Sequence, residues 1–443
     1  MIKNLTLSLV SIAALYSSPC ILSTSLGGQV AHSAEQKPAQ NVKQKTAESI
    51  KVPAMRNRVY SQLARAQKLA DEGNGLEGFD VLDDVQDRID TLNSYERAML
   101  WNFYGFMYYG NDDVASAIDS FKRVVNEKAI PLSLRVSTLY SMSQLFMQQQ
   151  NYEQTLDYLT QWQALNSKPL TSNQHVMFAQ AYYQNKEYPQ SLTHVSNAIE
   201  LAESTKDIPK ENWLILQRAN YFELKQPKDV SNVLESLVRY YDKPKYWIQL
   251  GGMYGEIGEE SKQLAVMESA WHAGYITESA NIINLAQLYL YHNVPYKTAT
   301  LLWEAMESGT IFADERNLDM LAQAYLAAKN DDNAIPVLIR ASTIADTGKF
   351  DASLAQAYLN LEQWQLASDS ADQAIKRGGI ERLGNMYLIK GMAFFNLARF
   401  DESLSAFAQA QKLPESEKTA KQWYNYVERE QGVQQRLAML NKI

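Results

Sequence analysis

The apolar positions of this chain recur in one short phrase. It reads LWNFYGFMYY, then MFAQAYYQNKEY, LGGMYGEIG, LAQLYL, LAQAYLAAKNDDNA, LAQAYLNLEQWQLA and IKGMAFFNLARFDES. Each time, a small residue is followed three places later by an aromatic, which puts both on one face of a helix. A second small residue often stands twelve places after the first. Polar and turn-forming residues separate the apolar stretches, so the chain reads as paired helices joined by tight turns.

We number each unit so that the small residue is position 8. That position is then Ala66, Gly105, Ser143, Ala179, Arg218, Gly251, Ala286, Ala322, Ala355 and Gly391. Position 11 is Leu69, Tyr108, Phe146, Tyr182, Tyr221, Tyr254, Tyr289, Tyr325, Tyr358 and Phe394. The small position of the second helix is clearest at Ala117, Ala299, Ala334, Ala367 and Ser403. One turn later come Phe121, Leu159, Val195, Leu234, Met267, Trp303, Leu338, Ala371 and Phe407. Position 17 opens the second helix with Tyr152, Tyr188, Trp364 and Phe400, and with Tyr296 after a one-residue insertion. A small side chain lets a neighbouring helix come near, and the aromatic fills the gap beside it.

Neither helix of such a unit buries its face alone, so the units must stack. This is the tetratricopeptide pattern, a helix-turn-helix unit of about 34 residues. The expected fold is all-α, a right-handed superhelical solenoid of about ten units over residues 56–412. Position-8 intervals run from 33 to 39 residues, so extra residues belong to helix ends and inter-unit turns such as 127–132 and 203–212, where Pro131 and Pro209 stop or start helices. The first unit is irregular, with Gly73, Gly75 and Gly78, and the fifth carries Arg218 at the small position. Residues 413–443 read as a polar-backed capping helix with the stripe Trp423, Tyr424, Val427, Val433 and Leu437. Solenoids need such a seal.

The N-terminus reads as an export signal over residues 1–33. Lys3 is its positive start, Leu5 to Tyr16 its apolar stretch, and Ala31 and Ser33 its cleavage rule. An uncleaved anchor on the periplasmic side of the inner membrane is the alternative. Cys20, the one cysteine, follows Pro19, which spoils a lipidation motif. Residues 34–55 form a polar, flexible lead-in. No other stretch is apolar enough to span a bilayer.

The net charge of −8 and the lack of a strong Lys/Arg run argue against a general nucleic-acid binder. Of the histidines, His175 and His194 read as ordinary helix residues, and none forms a tight metal-ligand spacing. Nucleophile-elbow, phosphate-loop and calcium-loop motifs are missing. Asp112-Asp113 and Asp331-Asp332 fall at turns, where acids cap helices. No catalytic, cofactor-binding or metal-binding residue is expected.

In a repeat of this kind, positions 2, 5, 9 and 12 of the first helices should line the concave groove. Position 9 is Gln144, Gln180, Gln287, Gln323 and Gln356; position 12 includes Tyr109, Tyr183, Phe222 and Phe395. A glutamine both donates and accepts, so it can satisfy a peptide backbone, and aromatics supply contact area. The same residues could instead rest on the next unit or bond to each other. The Lys and Asn clamp for a chaperone's C-terminal carboxylate is absent, because position 9 is Gln rather than Asn.

Four longer phrases go beyond the generic repeat. They are NSYERAMLWNFYGFMYYGNDDVASAIDSFKRVV at 93–125, PKENWLILQRANYFELKQ at 209–226, KYWIQLGGMYGEIGEESKQLAVMESAWHAGYI at 245–276, and ESANIINLAQLYLYHNVPYKTATLL at 278–302. In these the chain resembles the periplasmic tetratricopeptide proteins found with TonB, ExbB and ExbD genes in marine gammaproteobacteria, over about residues 55–412. The resemblance implies a periplasmic helper to an energy-coupling complex for uptake of iron chelates or other ligands, and the closing helix suits a monomer. Its partner would be TonB, ExbD or a TonB-dependent outer-membrane receptor. Two other classes stay open: an envelope assembly or structural factor for outer-membrane proteins, polysaccharide or peptidoglycan, and a regulatory subunit of a periplasmic enzyme.

Overall fold

The computed structural model describes residues 51–440. The export signal at 1–33, Cys20 and residues 34–50 of the lead-in lie outside the described residues. Among the described residues there are twenty-one α-helices, one short 3-10 turn (Ile89–Thr91) and no strands. The chain divides between Tyr240 and Tyr241 into two compact units. The first holds five helix pairs: α1 (Asn57–Asp71) with α2 (Gly75–Gln86), α3 (Ser94–Gly110) with α4 (Val114–Asn126), α5 (Leu132–Gln148) with α6 (Tyr152–Leu165), α7 (Ser172–Gln184) with α8 (Tyr188–Ser204), and α9 (Glu211–Glu223) with α10 (Pro227–Tyr241).

The second unit holds five more pairs and a final helix. They are α11 (Pro244–Glu256) with α12 (Glu260–His272), α13 (Ser279–Tyr291) with α14 (Pro295–Glu307), and α15 (Glu315–Ala327) with α16 (Asp331–Ile344). Then come α17 (Lys349–Asn360) with α18 (Trp364–Arg377), α19 (Leu383–Asn396) with α20 (Phe400–Ala410), and the closing α21 (Glu417–Leu440). The ten pairs coincide with the ten units of the sequence pattern, including the irregular first and fifth. The fold is an all-α, tetratricopeptide-like repeat solenoid.

One turn closes every pair. Position 15 is left-handed in all ten: Gly73 and Gly258 at φ +86° and +75°, and Asp112, Gln150, Lys186, Lys225, Asn293, Lys329, Glu362 and Ala398 between +56° and +63°. The N–H of position 16 donates to the carbonyl of position 11 at 2.8–2.9 Å in every repeat, as from Asn74 to Leu69 and from Arg399 to Phe394. The N–H of position 15 reaches the carbonyl of position 12. These two bonds satisfy carbonyls that the helix end leaves open. Asp113, Asn151 and Asn330 at position 16 then cap the second helix with their side chains.

Positions 8 and 24 fit each other in size. Gly105 and Gly391 face Phe121 and Phe407, and a Cβ on either glycine would come within 2.6 Å of the ring. Gly251 faces Met267 at the same 2.6 Å. Where position 8 is alanine its partner is aliphatic or alanine, as in Ala179 with Val195 and Ala322 with Leu338, all buried. Burying a side chain such as Phe121 contributes roughly 1.5–3 kcal/mol, and the small residue opposite makes room for it. Gly78, at position 20 of the first repeat, sits where a Cβ would be 2.9 Å from the Ala66 carbonyl. Gly73 thus serves the turn of that unit and Gly78 its helix contact.

The seventh repeat departs from the sequence reading. It has no insertion: Val294 N–H bonds the Tyr289 carbonyl, Asn293 is left-handed, and Pro295 is position 17. Proline suits the first helical position because its missing N–H is not needed there. Every second-helix assignment in this repeat therefore moves by one. Thr298, not Ala299, is position 20, and its hydroxyl donates to the Ala286 carbonyl at 3.1 Å. Ser191 and Ser403 do the same to Ala179 and Gly391 at 2.7 Å. Leu302 is the buried residue of position 24, whereas Tyr296 and Trp303 are exposed.

Both ends of the array are tied down. Before α1, Arg56 makes two side-chain bonds to the buried Glu96 carboxylate at 2.7–2.8 Å, and Asn93 donates to the Ala54 carbonyl at 2.9 Å. At the other end α21 lays Ala420 and Val427 on Phe407 and Ala410, and Trp423 stacks on Phe407 at 5.8 Å. Val433 and Leu437 of the expected stripe are 40% and 49% exposed. No helix among the described residues is long and apolar enough to cross a membrane.

Candidate protein-binding face

The expected groove residues all lie on the first helices of their pairs, and the two compact units treat them differently. In the first unit, Tyr109 is half-buried and packs with the Phe106, Phe121 and Phe146 cluster. Gln144 on α5 and Gln180 on α7 are half-buried. Tyr183, at the end of α7, meets Tyr188 edge-on at 5.5 Å. Burial first, then the Glu223 carboxylate and Tyr188, push the Tyr183 phenol up to about 12. It stays a protonated donor at every physiological pH. Burial and the same carboxylate raise Tyr188. Phe222, beside Glu223 on α9, is 50% exposed. Tyr183, Tyr188 and Glu223 thus meet where α7 ends, α8 begins and α9 ends.

The second unit carries a more regular arrangement. Gln287, Gln323 and Gln356 are exposed at position 9 of α13, α15 and α17, with Leu290, Leu326 and Leu359 half-buried one turn on. Among the described residues, Gln287 and Gln323 make no side-chain hydrogen bond to the protein, so they do not bond to each other. Gln356 donates to Asn360 at 2.9 Å, and Asn360 in turn reaches Asp331 at 3.2 Å. Phe395 stands apart from this row. It contacts Phe400, Trp423 and Tyr426 at 5.4–6.2 Å, so the closing helix partly covers it.

Some residues of the same face were not singled out in the sequence. Lys349, position 2 of its repeat, pairs with Asp319, position 5 of the preceding one, at 2.6 Å. The other oxygen of Asp319 is buried and has no hydrogen-bond partner among the described residues. Lying 30 residues apart, the two look unrelated in the sequence; only repeat numbering brings them together. The sequence pattern gives Tyr188 a packing role and carries no signal for Glu223.

The sequence pattern makes His175 and His194 ordinary helix residues. The structure brings their Nδ1 atoms to 3.0 Å. No three His, Cys, Asp or Glu side chains gather at metal-binding distance among the described residues.

No protein-family model matches the chain, and no curated protein does. Among solved structures it is similar to MamA, at 14% identity over 40% of this chain and 91% of that one, with a TM-score of 0.33. It is similar to YrrB, described as a tetratricopeptide protein with an unusual peptide-binding site, at 12% identity over 42% and 95%, TM-score 0.34. A tetratricopeptide repeat protein from Parabacteroides merdae covers more, 75% of this chain and 99% of its own, at 10% identity and a TM-score of 0.28. Likeness at this level bears on neither partner nor process. Stacked repeats of this kind present extended concave surfaces.

Proposed function

We propose that this protein holds an extended segment of a partner protein along the first-helix face, and that the glutamine row of α13, α15 and α17 is the centre of that contact. The observation that carries the reading is Gln287 and Gln323, exposed on successive first helices with leucines one turn on and no internal bond to satisfy them. An amide that both donates and accepts can pair with a peptide N–H and C=O, while the leucines take alternate side chains. Tyr183 and Phe222 are the corresponding candidates of the first unit.

The resemblance to the periplasmic proteins of TonB, ExbB and ExbD gene clusters supports a finer reading: a periplasmic accessory of TonB-type transport that binds TonB, ExbD or the periplasmic part of a receptor. A crosslinked pull-down from envelope fractions tests both levels, using the native chain and a Gln287→Lys/Gln323→Lys variant. Both sites are exposed, so the variant should fold. The finer reading expects TonB, ExbD or a TonB-dependent receptor with the native chain and their loss with the variant. Capture of a cell-wall or outer-membrane assembly protein by the native chain alone would keep the face and discard the transport role. Equal capture by both forms would discard the face.

A further inference from the structure

We propose that His175 and His194 form a two-imidazole site for a borderline divalent transition-metal ion such as Zn2+ or Cu2+, which would staple α7 to α8. His175 is the fourth residue of α7, and His194 lies in the middle of α8. Their Nδ1 atoms face each other at 3.0 Å. Two nitrogens bound to one tetrahedral zinc at about 2.05 Å stand roughly 3.3 Å apart, so binding needs the nitrogens to part by a few tenths of an ångström and the rings to turn from facing each other to facing a shared point beside them. The His194 ring is already held in plane. It stacks on Phe178 at 4.6 Å and 9°, and on Tyr182 at 5.6 Å. His175, Phe178 and Tyr182 share one face of α7 by their spacing.

The chemistry suits a metal as well as a hydrogen bond. Imidazole nitrogen is a preferred ligand of zinc and copper when neutral. Burial lowers the proton affinity of both rings, and with the nearby His175 it brings His194 down to about 4. Their lone pairs therefore stay available at neutral and mildly acidic pH. Without metal, one Nδ1–H must donate to the other Nδ1. On binding, that proton moves through solvent to Nε2 of its own ring, both Nδ1 lone pairs turn to the metal, and no net proton is released. With no third protein ligand among the described residues, solvent completes the coordination and the site is open.

The test uses the full chain in a background with His32, His272 and His292 changed to Gln, so that only the pair remains. Calorimetric titration with ZnCl2 at pH 7.5 should show one saturable equivalent. Affinity should fall at least tenfold in His175→Gln and in His194→Gln, and binding should be lost in the double variant. Zn2+ should raise the melting temperature of the background protein but not that of the double variant. Paramagnetic resonance of bound Cu2+ should show two imidazole nitrogens, which tests the pair even where a variant fails to fold. Undiminished binding by the double variant, no binding by the background protein, or a single-nitrogen copper spectrum would overturn the proposal.

Discussion

Two kinds of position carry the repeat at the scale of single residues: those that must be small, and those that must turn left-handed. Gly105 makes way for the Phe121 ring, and a Cβ there would come 2.6 Å from it. Gly105→Ala gains helix propensity but overpacks the contact, and should cost about 1–2 kcal/mol in thermal or denaturant unfolding. Adding Phe121→Leu should recover part of that loss, whereas Gly110→Ala, with open space beside it, should stabilise by up to ~1 kcal/mol. The second kind of position was hidden from the sequence. Only Gly73, Gly258, Asp112 and Asn293 mark the left-handed site by composition, and lysine, glutamine, glutamate or alanine hold it in the other six repeats. Because alanine is strained at φ +58°, Ala398→Gly should raise stability by about 0.5–1 kcal/mol despite the entropy it adds to the unfolded chain. The small and aromatic positions were legible because packing constrains their size. The misplacement of Tyr296 and Trp303 has the complementary cause. An aromatic one place past the turn resembles position 17, although Pro295 is the stronger start signal.

At the scale of helices and hairpins, ionisable groups set where acid acts first. His175 and His194 are held neutral, with folded pKa values below the unfolded value near 6.5. The unfolded hairpin therefore binds more protons, and stability is greatest above about pH 6.5 and falls as the pH drops toward 4. Glu96 behaves alike in a lower window. Bonding to Arg56 first, opposed by burial, holds it at about 2 against an ordinary 4.5, so its contribution is lost between about pH 4.5 and 2. Hydrogen exchange should show α7 and α8 opening between pH 6.5 and 4.5, while the contact between Arg56 and α3 persists. His194→Phe should flatten the upper window. Neither pair was legible in advance, since His175 and His194 are 19 residues apart and Arg56 and Glu96 are 40 apart. Contacts of this kind come from helix register, which composition does not reveal.

At the scale of the whole molecule, the stability of a repeat array is a sum over neighbours, so damage at one end should stay local. Val427 is fully buried under the final pair. Val427→Asp should unfasten α21 and raise exchange in α19 and α20, while α1 to α4 keep native protection; uniform loss of protection would mean the chain unfolds as one body. The central functional claim is that the first-helix face, and not the outer face of the second helices, holds the partner. Position-specific photocrosslinking in cells tests it directly, with the photoreactive residue placed at Gln287 or Gln323, or at the exposed Trp303 or Ile339. The account predicts discrete, saturable protein adducts from Gln287 and Gln323 and none from Trp303 or Ile339. Adducts from Trp303 and Ile339 alone, or equally from all four, would contradict it.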